Sequence, residues 1–411
     1  MVELCRIELI YAAILVICSM NVGFIMAYPS VSNDGFKESF SISKNEARIF
    51  ETMSYITAIA GPYISDFILN FCGRKTAMFG FTVFCTILWF VYPSMNGNTF
   101  WIGYVDRAFM GFLLGAYSAL IPLYLVELTP PKASGFFGSF YQSGLFFGTV
   151  SCQLIGVYLD WKNMSYIGGG ICLLFLFMVW FIPDSPAVVS ARSAPESIFQ
   201  KEYMKKLVYG LILFFFQSFT GYCHVMSTIY DVFMKAGIVF PKLMANSIAG
   251  TVAVVSAFIG GFVIQWLGRK VSWIISSAGI TISHLIQAVS LKTDMPNWIP
   301  FFTLLLFLFS FSVSMGSYPY FAMAETMPTP VRSIAVTIAA SESWGFYLLH
   351  FMLNEVISEL IGEFALVITY MGIAVCSCVF GFFFVETPDF NAIGADLYHD
   401  MNEMRSSDID E

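Results

Sequence analysis

The chain is 411 residues long, 57% hydrophobic, 18% aromatic and only 12% charged, with a mean hydropathy of +0.74. Ordinary soluble domains carry about 25% charged residues, so this composition excludes a soluble globule and points to an integral membrane protein. The net charge of −8 gathers in polar segments such as the acidic tail "SSDIDE", a solvated end that gives no reason to expect a nucleic-acid partner.

A helix needs about 20 apolar residues to cross roughly 30 Å of hydrocarbon, and it satisfies its own backbone while doing so. Runs of that kind predict twelve spans, near 8–28, 47–69, 77–95, 99–126, 135–158, 164–182, 205–234, 243–267, 271–291, 297–325, 333–359 and 363–385. The first lacks the short apolar core and small-residue cleavage site of a secretory signal and reads as a retained helix. The nine cysteines fall mostly inside spans without metal-ligand spacing and read as small packing residues, so neither a metal nor a cofactor is expected. With the N-terminus cytoplasmic, 12 Lys and Arg residues fall on inner segments, 7 on outer ones and 1, Arg107, inside a span. That bias places both termini in the cytoplasm.

Along the chain, "NFCGRKTAM" at 70–78 returns as "QWLGRKVSW" at 265–273, so the turn at Gly73 recurs 195 residues later at Gly268. "PLYLVELTP" likewise pairs with "PYFAMAETMP", setting Glu127 against Glu325, and "IPDSP" falls opposite "VETPD". Three coincidences in one order indicate two six-helix halves of common ancestry. Parallel halves of this kind are the plan of the major facilitator superfamily, whose substrate sits at mid-membrane between them. The expected division is an N-terminal half over 1–186, a shortened cytoplasmic linker over 187–204, a C-terminal half over 205–388 and a cytoplasmic tail over 389–411. In such a machine the glycine of each turn reverses the chain, while the basic pair anchors the loop and reaches carboxylates or helix C-termini nearby. The turns Gly73-Arg74-Lys75 and Gly268-Arg269-Lys270 are therefore assigned to gating.

The motifs resemble those of the sugar porter family, the relatives of facilitative glucose transporters, and most closely its insect trehalose-transporter-like branch. "DRAFMGFLLG", "PLYLVELTPPKASGFFGSFYQSGLFFG", "PDSP", "GSYPYFAMAETMPTPVRS" and "VETPD" follow the family order over nearly the whole chain. The resemblance adds Arg107, Glu127, Glu325, Arg332 and Glu386 to the gating set. Departures accompany it. Asn70 and Gln265 stand where the family's turn usually carries an acid, with Asp66 one helical turn before the first. Ser134-Gly135 replaces an Arg-Gly after Glu127, so that ion pair survives only if Lys132 substitutes. The second-half gate is expected to be intact and the first-half gate loosened.

A sugar offers many hydroxyls and no charge, so its site needs amides and hydroxyls for paired hydrogen bonds and an aromatic face for the apolar side of the ring. The resemblance carries over Gln142, Gln217 and Trp344, with Tyr320 replacing a tryptophan. Ser218 and Ser343 stand where the family has longer amides, and Cys223 and Ala253 where it has asparagines. The plainer reading of Gln142 and Gln217 is an interhelical hydrogen bond, worth about 0.6 kcal/mol in membranes. Trp344 and Tyr320 read equally as core aromatics. Glu342 and His224 are ionisable groups inside spans, candidates to touch substrate or to pair across the cavity. His284 and His350 read as satisfied packing residues.

The expected function is transport of trehalose or a hexose by facilitated diffusion with alternating access. The first span "IYAAILVICSMNVGFIMAY" holds no acid for proton coupling, which leaves Glu342 as the exception. The lost amides favour as alternative a non-transporting sugar sensor or a paralogue with a changed small-solute substrate. No Ser/His/Asp, Cys/His or metal-ligand cluster emerges, so an enzyme is not expected. The expected setting is a monomer in the plasma membrane, in contact with lipid and a small-molecule sugar.

Overall fold

A computed structural model describes residues 6–69, 71–96, 99–185 and 197–386. Asn70, Pro186, most of the expected linker and the acidic tail lie outside the described residues.

The described residues form fourteen α-helices: α1 (Arg6–Phe40), α2 (Lys44–Ala58), α3 (Gly61–Leu69), α4 (Arg74–Val91), α5 (Trp101–Leu128), α6 (Ser134–Gly156), α7 (Trp161–Met178), α8 (Lys201–Phe219), α9 (Tyr222–Lys235), α10 (Lys242–Ser290), α11 (Trp298–Ser310), α12 (Tyr318–Thr326), α13 (Thr329–Ile361) and α14 (Glu363–Phe384). Eight helical stretches among them are long and apolar enough to cross a membrane. One of these, α10, has 49 residues. At about 1.5 Å per residue it is more than twice the depth of a bilayer, so it serves as two spans. It folds back at Gly268, whose φ of 84° is open to glycine at little cost. The remaining spans are α2 with α3, α6 and α13, so twelve crossings result.

Three spans differ from the uninterrupted runs expected. The second breaks at Ile59–Ala60, just before Pro62 in the first turn of α3, where a proline is tolerated. The seventh breaks at Thr220–Gly221, between α8 and α9. In the tenth, α11 passes through a π-turn at Phe311–Met315 before α12, with Pro319 at the start of the new helix. The first helix also continues well past the expected end, to Phe40, and α2 opens on a capping box in which Ser43 and Glu46 exchange hydrogen bonds of 3.2 and 2.7 Å.

The first six spans form one half and the last six the other. Within the halves α1 packs on α6, α2 on α5, α4 on α7, and α10 on α11 and α14. Across the halves α6 lies along the first limb of α10, with Phe136 and Phe262 rings 4.8 Å apart, and α2 and α3 lie against α13. In α5, 83% of the most apolar stretch is buried inside the protein against 33% in α14, so α5 is an interior span and α14 a peripheral one. The exposed Phe67, Phe71, Trp266 and Phe382–Phe384 give the bundle an apolar outer surface, as a bilayer environment allows.

Candidate functional site

Two of the three broken spans, the seventh and the tenth, meet at a cavity between the halves. Met26 of α1 and Gln142 and Leu145 of α6 line it from the first half. The second half supplies Gln217, Ser218, Tyr222, Cys223, Phe311, Tyr320, Ser343, Trp344 and Tyr347. All six residues assigned to substrate contact from the sequence are thus brought together on one surface. The cavity has a volume of about 60 Å³.

Its polar groups differ in how free they are. Gln217 Nε2 donates to the Met315 and Gly316 carbonyls at 3.1 and 2.8 Å, so its amide staples the break of the tenth span to the seventh. Those carbonyls lie at the end of the π-turn, where the regular ladder is interrupted. The Gln142 Oε1, by contrast, is buried and has no protein partner. A buried carbonyl oxygen left in that state costs about 1–3 kcal/mol, so it is a ready acceptor for a ligand hydroxyl. Trp344 donates its indole N–H to Ser118 Oγ of α5 at 2.8 Å, a bond that joins the halves. Its ring stacks on Tyr55 of α2 at 6.4 Å with a 12° tilt, and Tyr55 also packs edge-on against Tyr347. Tyr320 sits edge-on between Tyr141 and Phe214, at 5.0 and 5.1 Å. A largely aromatic wall with a few amides and hydroxyls presents π-faces to C–H groups and paired donors and acceptors to hydroxyls.

Sequence reasoning missed Ser118, Tyr55, Tyr222 and Tyr347. Tyr222 follows the glycine of the seventh-span motif and carried a usable signal. Ser118 and Tyr55 are ordinary helix-face residues, and nothing in their local spacing marks them.

The two Gly-Arg-Lys turns lie at one end of the bundle, each facing a buried glutamate. Arg74 makes a two-pronged pair with Glu127, at 3.2 Å through both Nε and Nη2. Arg269 pairs with Glu325 in the same way, at 3.4 and 2.8 Å. Side-chain exposure is at most 7% in either pair, so both charges of each are desolvated and depend on one another. The first-half gate is therefore not loosened as expected. Glu127 takes Arg74 instead of Lys132, and Ser185 of the "PDSP" segment adds a hydroxyl donor at 2.5 Å. Lys75 is held at the same segment, its backbone N–H on Asp184 at 3.4 Å and its ammonium on the Trp180 carbonyl at 3.1 Å.

The substituted Ser134 acquires a different use. Its hydroxyl accepts from Arg269 Nη2 at 3.0 Å, so a second-half arginine reaches into the first half. Gln265, in place of an acid, donates to the Lys132 carbonyl at 2.7 Å, and Ser333 donates to Asp66 at 2.5 Å. All three contacts cross between halves, and the Gly-Arg-Lys end is closed. At the other end Arg48 and Glu355 pair across the halves at 3.2 Å, but both side chains are more than half exposed, which leaves the pair weak.

Three assigned positions, Arg107, Glu342 and His224, fall elsewhere than expected, and Arg332, beside Ser333 at the closed end, has a different partner. Arg107 is fully buried away from the gate, donating to the Ile25 carbonyl at 2.7 Å and lying over the Phe50 ring. Arg332 donates to the Met327 carbonyl at 3.1 Å, while Glu325 takes Arg269. Neither Glu342 nor His224 lines the cavity, and among the described residues no ion pair joins them. Both sit on helix faces turned from the cavity, His224 beside the Tyr370 ring. Lys270 lies over the Phe382 ring at 5.2 Å, and Glu386 follows the end of α14.

Comparison with known proteins fits this architecture. Residues 12–346 match the pattern of the Major Facilitator Superfamily. The chain is 24% identical over 383 residues to a facilitated trehalose transporter of Bombyx mori, covering 82% of this chain and 75% of the relative. It is 24% identical over 397 residues to the sugar transporter ERD6-like 16 of Arabidopsis thaliana, covering 85% and 82%. Among solved structures it superposes on a double-tryptophan mutant of XylE with a TM-score of 0.81, at 19% identity over 93% of this chain and 96% of the other. A partially occluded inward-open form of the E. coli xylose transporter XylE gives 0.71, at 20% identity over 93% and 99%. Two six-span halves, a cavity at their junction and a match over most of the length agree: the chain belongs to the Major Facilitator Superfamily.

Proposed function

We propose that the protein carries a neutral sugar, trehalose or a hexose, down its gradient by alternating access of the cavity between its halves. The observation that carries this reading is the buried, unpartnered Gln142 Oε1 in a cavity walled by Trp344, Tyr320, Tyr222 and Tyr347. An acceptor set among aromatic faces suits a hydroxylated ring and offers no charge to an ionic solute. The names of the relatives support the sugar class.

The Gly-Arg-Lys end is the cytoplasmic one, as the Lys and Arg bias has it, and both termini lie on that side of the plasma membrane. Residues 1–186 and 205–388 act as rocking bodies of a monomer. The contacts Arg269–Ser134, Gln265–Lys132 and Ser333–Asp66 hold the inner end shut, and each breaks when the cavity opens inward. The Trp344–Ser118 bond and Tyr55 stacking close the cavity from within the membrane.

Uptake of labelled trehalose and glucose into oocytes, with surface protein confirmed, tests the reading. Saturable uptake is expected, and Gln142→Ala is expected to raise KM about tenfold or more, the loss of one buried hydrogen bond. An inward proton gradient is expected to leave the rate unchanged. Acceleration by that gradient would instead assign coupling to a membrane acid, Glu342 or the buried Asp106, which the sequence reading passed over. Binding without uptake would favour a sensor.

A further inference from the structure

The seventh span breaks where it reaches the cavity, and the groups freed by that break have specific partners. α8 ends at Phe219 and α9 begins at Tyr222, with Gly221 between them at a φ of 95°. A helix C-terminus leaves its last four carbonyls without backbone donors, and a buried carbonyl left unsatisfied is costly. His350 of α13 places Nδ1 2.6 Å from the Ser218 carbonyl, and His284 of α10 places Nε2 2.9 Å from the Thr220 carbonyl. A carbonyl only accepts, so the proton sits on Nδ1 of His350 and on Nε2 of His284. The other His350 nitrogen lies 2.7 Å from the hydroxyl of Tyr370 in α14, which in turn is 3.0 Å from Asn354 Oδ1.

The cluster is pressed directly against the break. A Cβ added at Gly221 would stand 3.0 Å from Tyr370 and 3.2 Å from His284. None of these side chains lines the cavity, whereas Gln217, Ser218, Tyr222 and Cys223, on either side of the break, all do. Plain packing residues would fill this space equally well. The aiming of two ring nitrogens at two freed carbonyls is what packing does not require.

We propose that His350, His284 and Tyr370 are positioning residues of the substrate site, clasping the Ser218 and Thr220 carbonyls so that the break in the seventh span presents Gln217, Ser218 and Tyr222 to the ligand. This rests on the reading of the cavity as the sugar site. They act through the backbone of the seventh span and touch no substrate themselves.

A crossed amide exchange tests it. Asparagine puts its amide nitrogen near the place of a histidine Nδ1, and glutamine near that of Nε2. The matched variants His350→Asn and His284→Gln are expected to keep near-native KM for the transported sugar. The mismatched variants His350→Gln and His284→Asn are expected to raise KM about tenfold while Vmax per surface molecule stays within about twofold, as for one lost hydrogen bond. A substrate-free readout runs in parallel: labelling of Cys223 by a membrane-permeant maleimide, read by peptide mass. Cys223 lies two residues past Gly221, so the mismatched pair is expected to label several-fold faster and the matched pair at the native rate.

If the native protein carries no sugar, the functional reading fails while the Cys223 pattern still decides the clasp. Equal labelling of matched and mismatched variants overturns the proposal. Should the histidine variants miss the surface, Tyr370→Phe keeps every ring contact and removes only the hydroxyl. Faster Cys223 labelling in Tyr370→Phe supports the clasp, and an unchanged rate overturns it.

Discussion

Glu325→Ala is expected to destabilise the protein by about 3–5 kcal/mol and to favour the form open at the Gly-Arg-Lys end. Arg269 is 2% exposed and donates both prongs of its pair to this one carboxylate. Removing the carboxylate leaves a desolvated guanidinium, whose cost is far larger than the net worth of the intact pair. The same guanidinium crosses to Ser134, so a displaced Arg269 also loses the contact that holds the halves together at that end. Glu325→Gln keeps an acceptor and drops the charge, and should fall between the alanine variant and the native protein. Thermal unfolding in detergent gives the order, and an alanine variant as stable as the native protein would refute it.

Gly148→Leu is expected to abolish folded, monodisperse protein. The "GLFFG" stretch puts Gly144 and Gly148 one turn apart on α6, and α1 lies directly on them. A Cβ at Gly148 would stand 2.0 Å from the Met20 carbonyl, and one at Gly144 2.6 Å from Ser19 Cβ. Gly23 of α1 answers from the other side, with a Cβ position 1.9 Å from the Leu145 carbonyl. With no hydrophobic drive between helices in lipid, this close backbone approach supplies much of the packing that holds α1 to α6. A flexible side chain can yield, but a carbonyl inside a helix cannot. Gly80→Leu is the control, because a Cβ there meets nothing within 4 Å. Size-exclusion profiles of the two variants should differ completely, and similar ones would contradict the packing argument.

Much of this was legible from the residues because membrane folds are written in long, uniform runs. Hydropathy marked the spans, and the repeated turns at Gly73 and Gly268 marked the halves. The breaks were less legible. Hydropathy averages over a window of about 19 residues, so a two-residue interruption such as Thr220–Gly221 leaves the mean unchanged. The six cavity residues were reached through motif order, which fixes their place along a helix and hence the face they share. Ser118 and Tyr55 act through contacts more than 200 residues distant in sequence, with Trp344. No local pattern encodes such a pairing. The gate shows the same limit: the loss of an arginine at position 134 suggested a weakened Glu127, but Arg74, 53 residues away, already held it. Arg107 was misread for a simpler reason. The family resemblance placed it in the gating set, and only its burial, at 0% exposure, reveals a carbonyl partner inside the half.

Counterflow most directly tests alternating access of one sugar site. Purified protein is sealed into vesicles preloaded with unlabelled sugar at high concentration, and trace labelled sugar is added outside with no ion gradient. A carrier whose cavity opens to one side at a time should concentrate the label transiently above its equilibrium level, and Gln142→Ala should flatten that overshoot. Entry that rises only to equilibrium would indicate a pore, and no entry at all would indicate a protein that does not carry the sugar; either result contradicts the account.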